Sequence, residues 1–196
     1  MARGRPKKFD DKVVLEKAME VFWRKGFDST TLNDIDQATQ IPRQSLYRAF
    51  KNKRILFLNA LDYYQNRVVK SVLETLEKDR PAIENLELVF TRWQNAMTQK
   101  QGLGCLMGNT AAQFLPDDVD VRNRVLAHQD RLINSLEKAL AQGQSEGSVN
   151  VHMNPKSMAR MIISTVNGLL SISRVGPPQS IAQDVLQTLM SLIQTK

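Results

Sequence analysis

An all-α fold, with a small helical head followed by a larger helical body, is what this sequence of 196 residues predicts, on three observations. Apolar residues recur three and four positions apart along most of the chain, and no alternating strand pattern competes. Only 9 Gly and 7 Pro interrupt long stretches of Leu, Ala, Gln, Lys and Glu, side chains that lose little freedom in a helix. Charge divides the chain unequally. Residues 1–54 carry 13 Lys and Arg against 7 Asp and Glu, so +6 of the net +7 sits there and the other 142 residues are nearly neutral. With 42% apolar residues the chain can bury a real core. The expected organisation is a flexible basic arm over 1–8, a head over 9–54 and a body over 55–196.

The elements follow in order. Phe9 to Gly26 reads as a first helix, with Leu15, Ala18, Met19 and Phe22 at i, i+3, i+4 and i+7 and Gly26 as its stop. A second starts at Thr30 or Thr31, whose hydroxyl can cap it, and buries Leu32, Ile35 and Ala38. After Gln40-Ile41, Pro42 opens a third with Leu46 and Phe50 inward. Lys53 to about Lys78 is a long helix joining head to body, ended by Asp79-Arg80-Pro81. Helices then run from Pro81 to about Lys100, Cys105 to Phe114, Pro116 to about Gln144, Pro155 to Val175 and Pro178 to Gln194, about nine in all.

Two short amphipathic helices joined by a tight turn and followed by an aromatic and basic cluster form a helix-turn-helix that reads DNA. The outer side of the third helix holds Arg43, Gln44, Ser45, Tyr47 and Arg48, donors that reach base edges and phosphates in a major groove. Arg43, Gln44, Ser45 and Arg48 are the expected base readers. Tyr47, flanked by Arg43, Arg48, Lys51 and Lys53, suits phosphate. Upstream, Ala2-Arg3-Gly4-Arg5-Pro6-Lys7-Lys8 is similar to an AT-hook core, in which Arg3, Arg5, Lys7 and Lys8 would enter an A·T-rich minor groove; a solvated charged tail is the other reading. Either raises affinity through counterion release.

The run of Thr30-Thr31, Ile35, Ala38, Ile41-Pro42, Ser45-Leu46-Tyr47, Phe50 and Asn52-Lys53 resembles the DNA-binding domain of the tetracycline-repressor (TetR/AcrR) family. The resemblance implies that Thr31, Tyr47 and Lys53 hold DNA phosphates, a set to which Lys51 is added by its charge. It also implies a larger C-terminal domain for ligand binding and dimerisation. Three positions depart from the family's usual pattern: Gln40 where the turn commonly has Gly, Pro42 for a frequent Ser, and Gln44 for a frequent Gly. A positive φ at Gln40 would carry a strain of roughly 1 kcal/mol.

In the body, Phe90, Trp93, Met97, Cys105, Met107, Asn109, Phe114, His128 and Asn167 mix aromatic and soft apolar groups with a few uncharged polar ones, as a small-molecule pocket does. Each one taken alone also reads as core. Cys105, in a Gly-Cys element similar to one in many family relatives, is either a redox sensor or a buried structural residue. The last two helices are apolar over more than one face, which predicts a homodimeric four-helix bundle through Met161, Thr165, Leu169, Val185, Leu189 and Ile193; a monomer core is the alternative.

The sequence has no signal-peptide pattern at its start and no apolar run long enough to span a membrane, so a cytoplasmic protein is expected. One cysteine and two histidines make neither a disulfide framework nor a spaced metal site, and no cofactor is expected. No nucleophile-base pair, catalytic carboxylate pair or phosphate loop is present, which excludes the enzyme classes read from such motifs. The expected function is a homodimeric transcriptional regulator, most simply a repressor, that binds a palindromic DNA operator and is released by a small-molecule effector. The alternative is a ligand-independent nucleoid or cell-division factor of the same fold.

Overall fold

The computed structural model describes residues 10–98, 102–176 and 178–195. The chain is all-α: α1 (Asp11–Lys25), α2 (Leu32–Thr39), α3 (Arg43–Phe50), α4 (Lys53–Tyr64), a π turn (Gln65–Val69), α5 (Lys70–Leu76), α6 (Ala82–Thr98), α7 (Leu106–Gln113), α8 (Val119–Ser145), α9 (Pro155–Ser173) and α10 (Gln179–Ile193). Counting α4, the π turn and α5 as one helical run gives nine helices among the described residues. None of them is long and apolar enough to cross a membrane.

The chain divides into two units between Asn66 and Arg67, within the π turn. The expected limit at residue 54 is only where α4 begins. Leu56, Phe57, Ala60, Leu61 and Tyr64 of α4 are buried, and Phe22 of α1 meets the Phe57 ring edge to face at 5.0 Å, so α4 belongs to the first unit. In α1 the innermost residues are Val14, Ala18, Met19 and Phe22, whereas Leu15 is half-buried. Ile35 of α2 and Leu46 and Phe50 of α3 complete this core, with Leu32 and Ala38 half-buried at its edge.

In the second unit one cluster joins Leu86, Val89, Phe90, Trp93 and Met97 of α6 to Leu132, Leu136 and Leu140 of α8, Ile162, Val166 and Leu169 of α9, and Leu186, Leu189 and Ile193 of α10. The return after α8 lies so close that a Cβ on Gly143 would collide with Val149 Cγ2, which favours glycine at that position. Asn150 N–H donates to Ile193 O at 2.8 Å and Thr195 N–H to Ser148 O at 3.3 Å, stitching the end of α10 to that return.

Helix starts depend on caps more than on proline. Asp10, Thr31, Asn52, Asp118 and Asn154 each accept a backbone N–H of the turn they open. Pro155 alone of the prolines expected at helix starts occupies the first turn. Pro42 and Pro178 are caps with extended ψ of 137° and 134°, and Pro116 lies two residues before the cap Asp118. The helix expected to open at Cys105 begins at Leu106, with Cys105 as its cap.

Candidate nucleic-acid interface

The N-terminus of α2 is fixed by a reciprocal capping box. Thr31 Oγ1 accepts from Asp34 N–H at 3.2 Å, and Thr31 N–H donates to Asp34 Oδ2 at 2.8 Å. The Thr31 hydroxyl also donates to Asp34 Oδ2 at 2.9 Å, and Lys25 Nζ reaches Asp34 Oδ1 at 2.6 Å. The Lys25 ammonium foremost, and then the backbone and hydroxyl donors of Thr31, hold the Asp34 carboxyl down at about 2. Thr30, the other candidate start, is buried, with its hydroxyl on Gly26 O at 2.6 Å.

The turn between α2 and α3 holds Gln40 in the left-handed conformation. Gln40 sits at φ 59°, ψ 29°, its N–H on Asp36 O at 2.8 Å and its side-chain amide on Gln37 O at 2.6 Å. Pro42 O then accepts from Ser45 and Leu46 N–H at 2.7 and 3.2 Å, which starts α3.

With Leu46 and Phe50 inward, α3 exposes Arg43, Gln44, Tyr47 and Arg48, and Lys51 follows directly after its end. Tyr47 is 41% exposed, and the Arg43 guanidinium lies 5.6 Å over its ring with a 3.4 Å hydrogen bond to its hydroxyl. The two side chains expected to read a base and a phosphate are thus one unit. Ser45 is half-buried at the side of this face. Thr31 is exposed at the start of α2, its hydroxyl already committed to Asp34. Lys53, expected at a phosphate, is half-buried, and its ammonium donates to the carbonyls of Phe27 and Thr30 in the α1–α2 turn. Arg3, Arg5, Lys7 and Lys8 lie outside the described residues.

The expected pocket residues are not gathered in one described cavity. A groove of about 420 Å³ between α6 and α10 includes Phe90, a 150 Å³ depression between α7 and α8 includes Phe114, and a crevice of 10 Å³ includes Met97. Trp93 packs in the core 5.6 Å from Phe90, and Met107 is fully buried. Cys105 accepts from Gly108 N–H at 3.5 Å, and its sulfur lies 4.0 Å from His128 Nε2. Burial, with a smaller contribution from the Arg131 cation, pushes His128 down to about 4, so it is neutral at pH 7. Asn109 donates to Leu103 O at 2.8 Å and accepts from Arg174 at 3.3 Å; Asn167 is half-buried on α9. The groove adds Glu87, Thr91 and Gln94 of α6, Gln187 and Ser191 of α10 and Gln194 at the C-cap of α10, which the sequence reading missed. The polar i, i+4, i+7 row beside buried Phe90 was the signal available.

The six residues expected at a dimer face differ in exposure. Leu169, Leu189 and Ile193 are buried in the core of their own chain, Ile193 fully. Met161 is exposed and Thr165 and Val185 are half-buried. The apolar groups that do face outward are Met161 and Ile172 on α9 and Ile181 and Leu192 on α10, beside exposed Ser164, Gly168 and Thr188.

Comparison with known proteins places both halves. Residues 14–60 match the model of bacterial regulatory proteins, tetR family, and residues 82–189 match that of the tetracyclin repressor-like C-terminal domain. The HTH-type transcriptional repressor ComR of Escherichia coli strain K12 is 31% identical over 177 residues, covering 89% of this chain and 84% of ComR. The repressor DhaR of a Mycobacterium species, strain GP1, is 25% identical over 158 residues, 80% of this chain and 78% of DhaR. In fold the chain is similar to a cysteine mutant of the TetR family transcriptional regulator CifR complexed with 26 bp double-strand operator DNA, with a TM-score of 0.82, 24% identity and 95% and 98% of the two chains covered. Reduced NemR of E. coli gives 0.85 at 17% identity, covering 95% and 99%.

Proposed function

This chain belongs to the tetR family of bacterial transcriptional regulators, and from that premise we propose that it is a homodimeric repressor that binds a palindromic operator and is released by a small-molecule effector. One observation carries the reading: α3 buries Leu46 and Phe50 and turns a face of donors, Arg43, Gln44, Tyr47 and Arg48, to solvent, with exposed Lys51 at its C-cap. In the reading, Arg43, Gln44 and Arg48 meet base edges, with Ser45 at the margin, while Thr31, Tyr47, Lys51 and Lys53 hold phosphates. Two such heads, held about 34 to 36 Å apart, match successive major grooves.

The dimer reading is supported by the outward stripes of α9 and α10, where Met161, Ile172, Ile181 and Leu192 flank a middle of small residues that lets two helix pairs approach. The effector reading is supported by the groove of about 420 Å³, within the size range of small-molecule sites, whose floor is Phe90, Leu186 and Met190 and whose rim is polar. Binding would act by differential affinity between two arrangements of the dimer. A coupling of about 1 to 3 kcal/mol changes operator affinity roughly 5- to 150-fold.

A second reading, a ligand-independent factor that covers many chromosomal sites, is favoured by the scatter of the nine expected pocket residues over separate cavities and core. A footprint on the DNA upstream of the chain's own gene, at about 0.15 M salt with excess competitor, separates the two. A symmetric pair of protected half-sites is expected. Uniform weak coverage there and on unrelated DNA would replace the repressor reading with the second one.

A further inference from the structure

We propose that Lys51 trades stability for DNA binding: it holds a backbone conformation that glycine would adopt without strain, so that it weakens the free head while its ammonium strengthens the complex at a backbone phosphate. The proposal rests on the DNA-binding reading of the head.

Two non-glycine residues have positive φ among the described residues, Gln40 and Lys51. They differ in what their side chains gain. Gln40 lies in the left-handed helical region at φ 59°, ψ 29°, and its own amide donates to Gln37 O at 2.6 Å, a bond that glycine could not make. Lys51 lies at φ 62°, ψ −56°, outside that region, where the Cβ of an L residue is crowded by its own backbone. Asn52 N–H closes back on Phe50 O at 2.7 Å, which makes Lys51 the centre of a γ-turn of the uncommon, strained kind. Among the described residues its ammonium has no hydrogen bond or ion pair. No contact inside the fold offsets the strain that the side chain brings.

The turn itself is dictated by its two ends. Phe50 is buried as the last residue of α3, and Asn52, extended at φ −152°, ψ 171°, caps α4 by accepting Ile55 N–H at 2.9 Å. One residue is left to reverse the chain. Its N–H still reaches Tyr47 O at 2.8 Å, so Lys51 stands one helical turn beyond exposed Tyr47, at the end of the donor face. The fold demands positive φ at 51, and glycine meets that demand without strain. The lysine therefore answers to something outside the fold, and beside Tyr47 and Arg48 that partner is a phosphate of the DNA backbone.

The test compares the full-length native protein with Lys51→Gly, Lys51→Ala and Lys51→Arg, in urea unfolding and in binding to a mixed-sequence DNA duplex across a salt series. Lys51→Gly relieves the strain and removes the charge. It is expected to unfold at higher urea, with an unfolding constant lowered roughly fivefold, and yet to bind the duplex about tenfold more weakly, with the slope of log K against log salt reduced by about one unit. Lys51→Ala keeps the strain and loses the charge, so native stability with the same weaker, flatter binding is expected. Lys51→Arg keeps both and is expected to match the native protein in both assays. A Lys51→Gly protein no more stable than Lys51→Ala would show that residue 51 is unstrained, and a native slope in Lys51→Ala would show that it meets no phosphate; either result overturns the proposal. Absence of salt-dependent binding by the native protein would remove the DNA-binding reading itself and the proposal with it, a result seen before any variant is made.

Discussion

Helix α3 of the head and helix α10 of the body invert each other. The first shows solvent a face of donors, Arg43, Gln44, Tyr47 and Arg48, over an inner stripe of Leu46 and Phe50. The second buries Leu186, Leu189 and Ile193 and still leaves Ile181 and Leu192 outside, 41% and 50% exposed. Buried polar groups occur in both units, Thr30 and Thr39 in the head and Asn85, Thr110 and His128 in the body. A surface of mobile donors suits a wet, anionic partner read group by group, whereas an outward apolar stripe suits a dry, self-complementary contact. The difference also predicts where substitution damages the fold and where it damages only a contact.

Adjacent faces of α10 give the largest contrast. Leu189→Glu places an unpaired carboxylate in the core and is expected to cost more than about 4 kcal/mol, read as loss of the cooperative urea transition. Leu192→Glu, one turn face away, is expected to keep native helical content by circular dichroism and to shift sedimentation from dimer to monomer. A folded Leu189→Glu, or a Leu192→Glu that stays dimeric, would break the comparison.

Burial of a titratable group in the body gives the next effect. The pKa of His128 is about 4 when folded and near 6.5 when unfolded, so the unfolded chain binds the extra proton between those values. The stability it contributes is complete above pH 6.5 and is lost as pH falls through 4, on the order of 3 kcal/mol. Urea midpoints of the native protein should fall across that window and those of His128→Leu should fall less. Equal slopes would place His128 in contact with water. Asp34 in the head has the same sign at lower pH: its stabilisation is full above about 3.8 and disappears as pH falls through about 2.

Within the donor face the effects are smaller and divide by partner. Arg43→Ala or Gln44→Ala should lose about 1 to 3 kcal/mol at particular base pairs, while Tyr47→Ala should weaken all sequences alike, in competition assays on an operator series. Because Arg43 stacks on Tyr47, their double mutant is expected to be less than additive. The smallest effect belongs to the turn. Gln40→Gly removes a left-handed strain of roughly 1 kcal/mol and forfeits the bond to Gln37 O, so a net gain of a few tenths of a kcal/mol in chemical denaturation is expected.

The head was legible because its signals are local. Thr31 with Asp34, the Gln40 turn and the Leu46–Phe50 spacing each act within four residues, and the expected strain at Gln40 appears as a positive φ. Even so, Val13, Val14 and Leu15 are consecutive apolar residues, and the period alone did not say that Val14 is the one wholly inside. That the Lys53 ammonium meets the carbonyls of Phe27 and Thr30 was not legible, because those partners are more than twenty residues away in the chain. The pocket residues were chosen by chemical type, and type does not report which cavity a side chain meets.

Composition, periodicity and caps by themselves determined an all-α chain, its helix order, its basic head and the side chains that α3 turns outward, since each rests on interactions within one or two helical turns. The tertiary structure alone decided which apolar residues of α9 and α10 are core and which are surface, that α4 packs with the head, and that the Lys53 ammonium points into a carbonyl cup. Those outcomes depend on neighbours brought together by packing, and a helix with apolar residues on two faces carries no record of which face its neighbours will cover.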